Sequence, residues 1–389
     1  AKAGTTRSAH SPPLHFESKM PSGGQEVEMT QPDATTEDVE APPTRDDIGG
    51  GSSSKEEEAH FEASAQRPPQ TQDEIKLVWR DVTFSVPNKR IIDKLWGSAS
   101  SGRVTAILGP SGCGKTTLLD ALARRIDGSK KGRELSGEIL INGAPVGSRN
   151  APRAAYVQQE DALVGVLSVM ETLYVAAAFA GAPRARAEAL ITEFGLDSAK
   201  HTMVGTIFQK GISGGQKRRL SIAVELVSRP RLCLLDEPTS GLDSASALAV
   251  VDQLRKIAKA RDACEKLDAC LEVAVACTLH QPSSAVWACV DDACFLAAGK
   301  LVYFGDSSNG LLRFFSHAGF PVPRYSNIAE FVLSLINQDF PGHADVEQLA
   351  DTFKDHAERS RETILAAGPV VVPVDKKRSL SSSSSQQTE

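Results

Sequence analysis

Hydrophobic and polar positions switch between two periods along this chain. Ile75 to Val86 reads as a strand with one buried face, its large apolar members being Leu77, Trp79, Val82, Phe84 and Val86. Arg103 to Leu108 is a short apolar run that ends at Gly109, the pattern of a buried parallel strand. Lys115 to Ile126 sets Leu118, Leu119 and Leu122 on one side and predicts a helix. Glu138 to Ile141 followed by Asn142-Gly143 predicts a strand and a tight turn. Glu171 to Gly195 is alanine-rich, is interrupted by Pro183 and predicts two helices; Gly214 to Val227 predicts another. Leu232 to Leu235 and Val273 to Leu279 are again buried-strand runs, and Phe295 to Phe304 predicts a hairpin turning at Ala298-Gly299-Lys300. Strands alternating with helices imply an α/β fold with a largely parallel sheet.

The two ends break this pattern. Residues 1–74 are rich in Pro, Gly, Ser, Thr and acidic residues, as in Gly49-Gly50-Gly51-Ser52-Ser53-Ser54 and Glu56-Glu57-Glu58. Such a stretch buries too little apolar surface to offset its ordering entropy, so it is expected to be disordered. Residues 368–389, with Lys376-Lys377-Arg378 and Ser381 to Ser385, are expected to be a second disordered tail. The remainder of the 389 residues suits one large domain or two modest ones. An opening alanine in place of methionine is what a processed chain, or a piece of a longer one, would show. A formal net charge of −6 argues against sequence-independent nucleic-acid binding. No apolar stretch approaches the roughly 20 residues of a spanning helix. The seven cysteines include no CxxC pair, which argues against a zinc site or a disulfide framework and favours free thiols in a reducing compartment.

Candidate chemistry begins at Gly109-Pro110-Ser111-Gly112-Cys113-Gly114-Lys115-Thr116-Thr117, which fits GxxxxGK[ST] between a predicted strand and a predicted helix. Glycines let backbone N–H groups approach phosphate oxygens, and the following helix N-terminus adds favourable potential. Lys115 is placed to reach the β- and γ-phosphates, and the Thr116 hydroxyl to ligate Mg²⁺. Alone, this loop implies only nucleotide triphosphate binding. A second segment, Leu232-Cys233-Leu234-Leu235-Asp236-Glu237-Pro238, ends a buried strand in two carboxylates. Asp236 is placed to hold Mg²⁺ through water, and Glu237 to polarise an attacking water as general base.

A third segment decides between nucleotide-binding families. Ile212-Ser213-Gly214-Gly215-Gln216 resembles the LSGGQ signature of ABC ATPases, with Ile at its first position. Thr239-Ser240-Gly241-Leu242-Asp243 resembles the D-loop, Thr278-Leu279-His280-Gln281-Pro282 the switch segment, and Gln159 within Tyr156-Val157-Gln158-Gln159-Glu160-Asp161 the Q-loop glutamine. Gln158 is the alternative; Gln159 is chosen because Glu160-Asp161 then falls where the pattern has acidic residues. All segments occur in family order. Phrases such as Asp243-Ser244-Ala245-Ser246-Ala247 and Ala329-Glu330-Phe331-Val332-Leu333-Ser334-Leu335-Ile336-Asn337 are similar to those of the G (White) subfamily of half-transporters. The resemblance covers about residues 75–340.

The resemblance implies a P-loop NTPase (RecA-like) core with an antiparallel β subdomain, an inserted helical subdomain at about 161–228, and a helical linker at 341–367 leading toward a membrane domain that this chain lacks. It implies ATP and Mg²⁺, with Thr116, Gln159 and Asp236 around the metal and Glu237, His280 and Gln159 in catalysis. Ser213, Gly214, Gly215 and Gln216 would clamp ATP held by the P-loop of a second ABC ATPase domain, head to tail, homo- or heterodimeric. The protein is then expected at the cytoplasmic face of a membrane, exporting a lipid, sterol or xenobiotic. Two rival readings are a soluble ABC ATPase without a membrane domain and a non-hydrolysing nucleotide-binding partner that regulates another subunit, the second disfavoured by the presence of Glu237, His280 and Ser213. Three departures stand out. The position that usually stacks adenine aligns with Val86, whose aliphatic face implies loose base recognition. Arg261 to Glu272 reads as a surface insertion. Cys113, inside the P-loop, is reactive if exposed and inert if buried.

Overall fold

The computed structural model describes residues 74–126, 132–147, 154–206, 208–259 and 273–366. Both expected tails, save Glu74, and the Arg261 to Glu272 insertion lie outside the described residues. The described residues open with β1 (Lys76–Val86) and β2 (Lys89–Ser100), a hairpin closed by Pro87-Asn88 with Asn88 at φ 64°. β4 (Glu134–Ile141) and β5 (Ala144–Pro145) extend it into an antiparallel sheet of order β2-β1-β4-β5. Leu77, Val78, Trp79 and Val82 of β1 are all fully buried, and the register shift between Trp79 and Val82, at left-handed Asp81 (φ 50°), interrupts the alternation there.

The second sheet has the order β10-β9-β3-β8-β7-β6. Its members are β3 (Val104–Leu108), β6 (Ala154–Val157), β7 (Leu232–Leu235), β8 (Ala274–Thr278), β9 (Asp292–Ala297) and β10 (Lys300–Asp306). β9-β3-β8-β7-β6 run parallel, and β10 pairs antiparallel with β9 through the Ala298-Gly299 turn. Every residue of β3, β7 and β8 is buried, as strands covered on both faces require. The fold is thus a P-loop NTPase α/β core carrying an antiparallel β subdomain.

Among the described residues the α-helices are α1 (Lys115–Leu122), α2 (Val169–Ala180), α3 (Arg184–Glu193), α4 (Gly214–Leu226), α5 (Ser244–Ala258), the single turn α6 (Ser284–Trp287), α7 (Asn309–His317), α8 (Ile328–Ile336) and α9 (Val346–Leu365). α2 to α4 fall within the segment read as the helical insertion. α2 opens with a capping box, in which the Ser168 hydroxyl accepts from Glu171 N–H and the Glu171 carboxylate accepts from Ser168 N–H. α1 is shorter than the periodicity predicts. It stops at Leu122, and Arg124 takes φ 54°, so the last expected turn is lost to a left-handed residue.

α9 lies against β1, β2 and β10. Its Phe353 is 2% exposed, stacks on Trp96 at 5.6 Å between centroids, and meets Tyr303 at 5.5 Å and Phe314 at 5.3 Å. Its end is tied back to β1, where Arg80 and Lys76 donate to the Leu365 and Ala366 carbonyls and Arg361 pairs with Asp81 at 2.6 Å. Among the described residues no helix is long and apolar enough to cross a membrane.

Candidate functional site

Strand order decides what meets what. β3 lies between β8 and β9, with β7 beyond β8 and β6 beyond β7. These strands are parallel and nearly in step, with Ile107 beside Thr278, Leu235 beside Cys277 and Val157 beside Leu235. Their carboxyl ends therefore deliver the Gly109 loop, His280, Asp236-Glu237 and Gln158-Gln159 to one edge of the sheet. That edge is where open α/β sheets hold ligands.

The loop from Gly109 to Gly114 is shaped from behind. A Cβ on Gly109 (φ 154°) would lie 2.1 Å from the Leu296 carbonyl oxygen, and one on Gly114 (φ 106°) 2.5 Å from Ile92 Cγ2. A Cβ on Gly112 (φ 74°) would meet nothing within 4 Å, so the cradle is open on that side. α1 begins at Gly114 with no side-chain cap, which leaves its first N–H groups available to an anion. Lys115 is 6% exposed, and its Nζ donates to the Gly109 and Pro110 carbonyls at 2.8 and 3.0 Å. The ammonium is stored against its own loop, inside the cradle. Pro110 and Ser111 form the outer turn, and Ser111 Oγ lies 3.4 Å from His280 Nε2. Thr117 follows in the first turn of α1.

The two carboxylates are held differently. Asp236 is 4% exposed and accepts from the Thr278 hydroxyl at 2.7 Å and the Thr116 hydroxyl at 3.2 Å. Glu237 takes φ 43°, a left-handed conformation costly for a residue with a side chain. Its N–H donates to Thr278 Oγ1 at 2.7 Å, and its carboxylate accepts from Gln159 Nε2 at 2.9 Å. Gln159 therefore reaches the candidate base directly, while Gln158 contributes its carbonyl to Arg218. The oxygens of Thr116 and Asp236 are the hard donors Mg²⁺ prefers. Among the described residues no cluster of three or more His, Cys, Asp or Glu could hold a metal ion, so Mg²⁺ here would also need oxygens of its nucleotide.

Ser213 to Gln216 start α4 with a second capping box. The Ser213 hydroxyl accepts from Gln216 N–H at 3.3 Å, and the Gln216 side-chain oxygen accepts from Ser213 N–H at 2.9 Å. Gly215 packs on α5, where a Cβ would sit 2.9 Å from Ser246 Oγ. Asp243 caps α5 through Ala245 N–H and Ser246 N–H, bonds that hold its carboxyl below the usual range. Val86 ends β1, half-buried, and β1 and β2 both pack against α1.

The ABC transporter family model matches residues 92–240. ABC transporter G family member 11 of Arabidopsis thaliana is 42% identical over 277 residues, covering 68% of this chain and 37% of the relative. G family member 13 of the same plant is 40% identical over 277 residues, covering 68% of this chain and 38% of the relative. Member 6 is 38% identical over 288 residues, covering 72% and 37%. The chain carries an ATPase domain of the ABC transporter family. It is an ABC-type ATPase domain similar to those of G family members, it binds nucleotide, and it spans less than half the length of these relatives.

Within this ABC ATPase, two residues at the site, Thr278 and Arg218, carry no role legible in the sequence. Thr278 closes an otherwise apolar buried run, and a buried hydroxyl there has to find partners. Arg218 lies on the buried side of α4 and pairs with Asp161 at 3.1 Å. A charged residue turned inward is a signal, but its acceptors are tertiary. The P-loop thiol is also decided: Cys113 is 4% exposed, and desolvation raises its pKa despite the nearby Lys115 ammonium. Cys233, Cys277, Cys289 and Cys294 are likewise buried and free.

Proposed function

We propose that this ABC ATPase is the ATP-driven motor of a G-type half-transporter that exports a lipid, sterol or xenobiotic. The observation that carries the reading is the linked set Gln159–Glu237–Thr278–Asp236–Thr116 facing an open P-loop. In this mechanism Lys115 leaves the Gly109 and Pro110 carbonyls for the β- and γ-phosphates, a charge-assisted exchange favoured by the nucleotide's charge. The backbone N–H groups from Gly109 to Thr117 cradle the phosphates, and Val86 offers the adenine an aliphatic face. Thr116, Asp236 and Gln159 would hold Mg²⁺, which when bound neutralises charge on the phosphate oxygens. Glu237 accepts the proton of the attacking water, and His280, beside Ser111, orients that water and the γ-phosphate.

Ser213, Gly214, Gly215 and Gln216 then clamp the ATP held by a second ABC ATPase domain, head to tail. Hydrolysis reopens that dimer, and the difference in nucleotide affinity between closed and open states drives the attached membrane helices. The segment after residue 340 is the route to those helices at the cytoplasmic face of the membrane, and nucleic acid plays no part. Glu237→Gln tests the assignment. Removing the general base is expected to lower ATP turnover at least ~100-fold while ATP stays bound and the dimer accumulates by size exclusion. Turnover at the wild-type rate overturns it.

A further inference from the structure

Arg218 lies in the second turn of α4, just past the Ser213 to Gln216 start, and is 3% exposed. Its Nε donates to the Pro238 carbonyl at 3.2 Å, and Nη2 donates to the Asp236 carbonyl at 2.7 Å. Nη1 faces the Gln158 carbonyl at 2.5 Å, the Gln159 carbonyl at 3.2 Å and the Asp161 carboxylate at 3.1 Å. One guanidinium thus grips the residues on both sides of Glu237 and the backbone of Gln159. The side chains of those two residues meet at 2.9 Å. Glu237 sits at φ 43° and cannot rest there unaided, so its flanks have to be held. The fork of five N–H donors on arginine can serve two chain segments at once, where a lysine ammonium acts as a point.

The next residue grips the opposite side. Arg219 Nη1 donates to the Phe194 carbonyl at 2.9 Å, and Gly195 O lies at 3.5 Å, both just past the end of α3. Consecutive arginines therefore fasten α4 to the catalytic edge and to the helical insertion. Any displacement of α4 would pull through these bonds on the Gln159 backbone and the Glu237 flanks.

We infer that Arg218 is a positioning residue that makes hydrolysis at this chain's own P-loop depend on where α4 sits. It does so by holding Gln159 and Glu237 in register without touching nucleotide. The inference rests on the roles proposed for Gln159 and Glu237, and the experiment separates the two. Arg218→Met, Arg218→Lys and Glu237→Gln are made in the full-length protein. Kd for trinitrophenyl-ATP, KM for ATP and kcat per binding-competent molecule are measured for each.

Arg218→Met is expected to lower kcat at least 30-fold with Kd and KM within threefold of wild type. Arg218→Lys is expected to recover only part, because one ammonium cannot span both segments. A purely structural arginine would instead reduce the binding-competent fraction and leave kcat per competent molecule unchanged, and that result overturns the inference. So does a kcat loss matched by an equal loss of affinity. If Arg218→Met does not fold, Arg218→Lys decides: a kcat at least fivefold below wild type at unchanged Kd supports the inference, and wild-type kcat overturns it. Wild-type turnover in Glu237→Gln sinks the underlying site reading. An inactive Glu237→Gln beside a fully active Arg218→Met sinks the arginine inference alone.

Discussion

Thr278→Val removes one oxygen and keeps the shape of the side chain. Thr278 is 0% exposed, so no water replaces what is lost. The hydroxyl donates to Asp236 Oδ1 at 2.7 Å and accepts Glu237 N–H at 2.7 Å. A hydrogen bond to a charged group contributes about 1.5–3 kcal/mol, and a buried N–H left without an acceptor costs about 1–3 kcal/mol. Thr116 still donates to Asp236 Oδ1 at 3.2 Å, which keeps part of the first sum. The expected loss is about 2–4 kcal/mol, or a fall in Tm of roughly 5–15 °C for a domain of this size. Thr278→Ser keeps the hydroxyl and loses one methyl, about 1 kcal/mol. Stability should therefore run wild type, Ser, Val, measured by thermal and urea unfolding of the full chain. The kcat for ATP should follow the same order, with Val at least tenfold below Ser, because Glu237 loses the anchor of its N–H. Equal Tm and kcat in the Ser and Val variants would show that the hydroxyl bridge neither stabilises the edge nor positions the base.

Two further outcomes test other parts of the molecule. Phe353→Ala empties the site between Trp96, Tyr303 and Phe314; a loss of about 3–5 kcal/mol is expected, with hydrogen exchange rising across residues 346–366. A Tm within 1 °C of wild type would mean that the aromatic cluster does not hold α9. Cys113 has its thiol pKa raised by burial, so its thiolate fraction at pH 7.5 is below that of free cysteine. Iodoacetamide labelling, followed by peptide mass spectrometry, should be slower there than for free cysteine and should climb only as pH rises beyond the ordinary thiol range. Cys233 and Cys277, pushed up to about 12, should label only after unfolding. Labelling of Cys113 at the free-cysteine rate at pH 7.5 refutes its burial.

What could be read from the residues and what could not divide along a physical line. The P-loop is legible because its constraint is local. Gly109 and Gly114 are each pressed from behind by neighbouring atoms, and no other residue fits at those distances. β3, β7 and β8 are legible because burial on both faces leaves nothing polar in the run except Thr105 and Thr278. β2 carries no legible period, and its pairing with β1 explains why. Two steps along β1 from Val82 to Phe84 match three along β2 from Leu95 to Ile92, and one step from Phe84 to Ser85 matches two from Ile92 to Arg90. Each of these bulges puts an extra residue into β2, so its twelve residues show no clean alternation. β6 is four residues, two of them alanine, at the sheet edge, too short to carry a period. α5 follows the family phrase at Asp243, and its helical periodicity is plain in Val250, Val251 and Leu254, all buried.

The same division runs through the site. Lys115, Asp236, Glu237 and Ser213 stand in short motifs because the role proposed for each is exercised from a fixed place on its own element. Arg218 and Thr278 act on other residues, and their partners are far along the chain. Arg218 bonds to residues 18 to 60 positions away, and Thr278 to residues 41 and 42 positions away. Nothing near either in the sequence says which carbonyl or carboxylate it will meet. Both are nonetheless visible as anomalies, a cation on the inward side of an amphipathic helix and a hydroxyl at the end of an apolar strand. A buried polar group without a partner costs more than the bond it would make. Such positions in a sequence are therefore where a tertiary connection has to exist, even when its other end cannot be named.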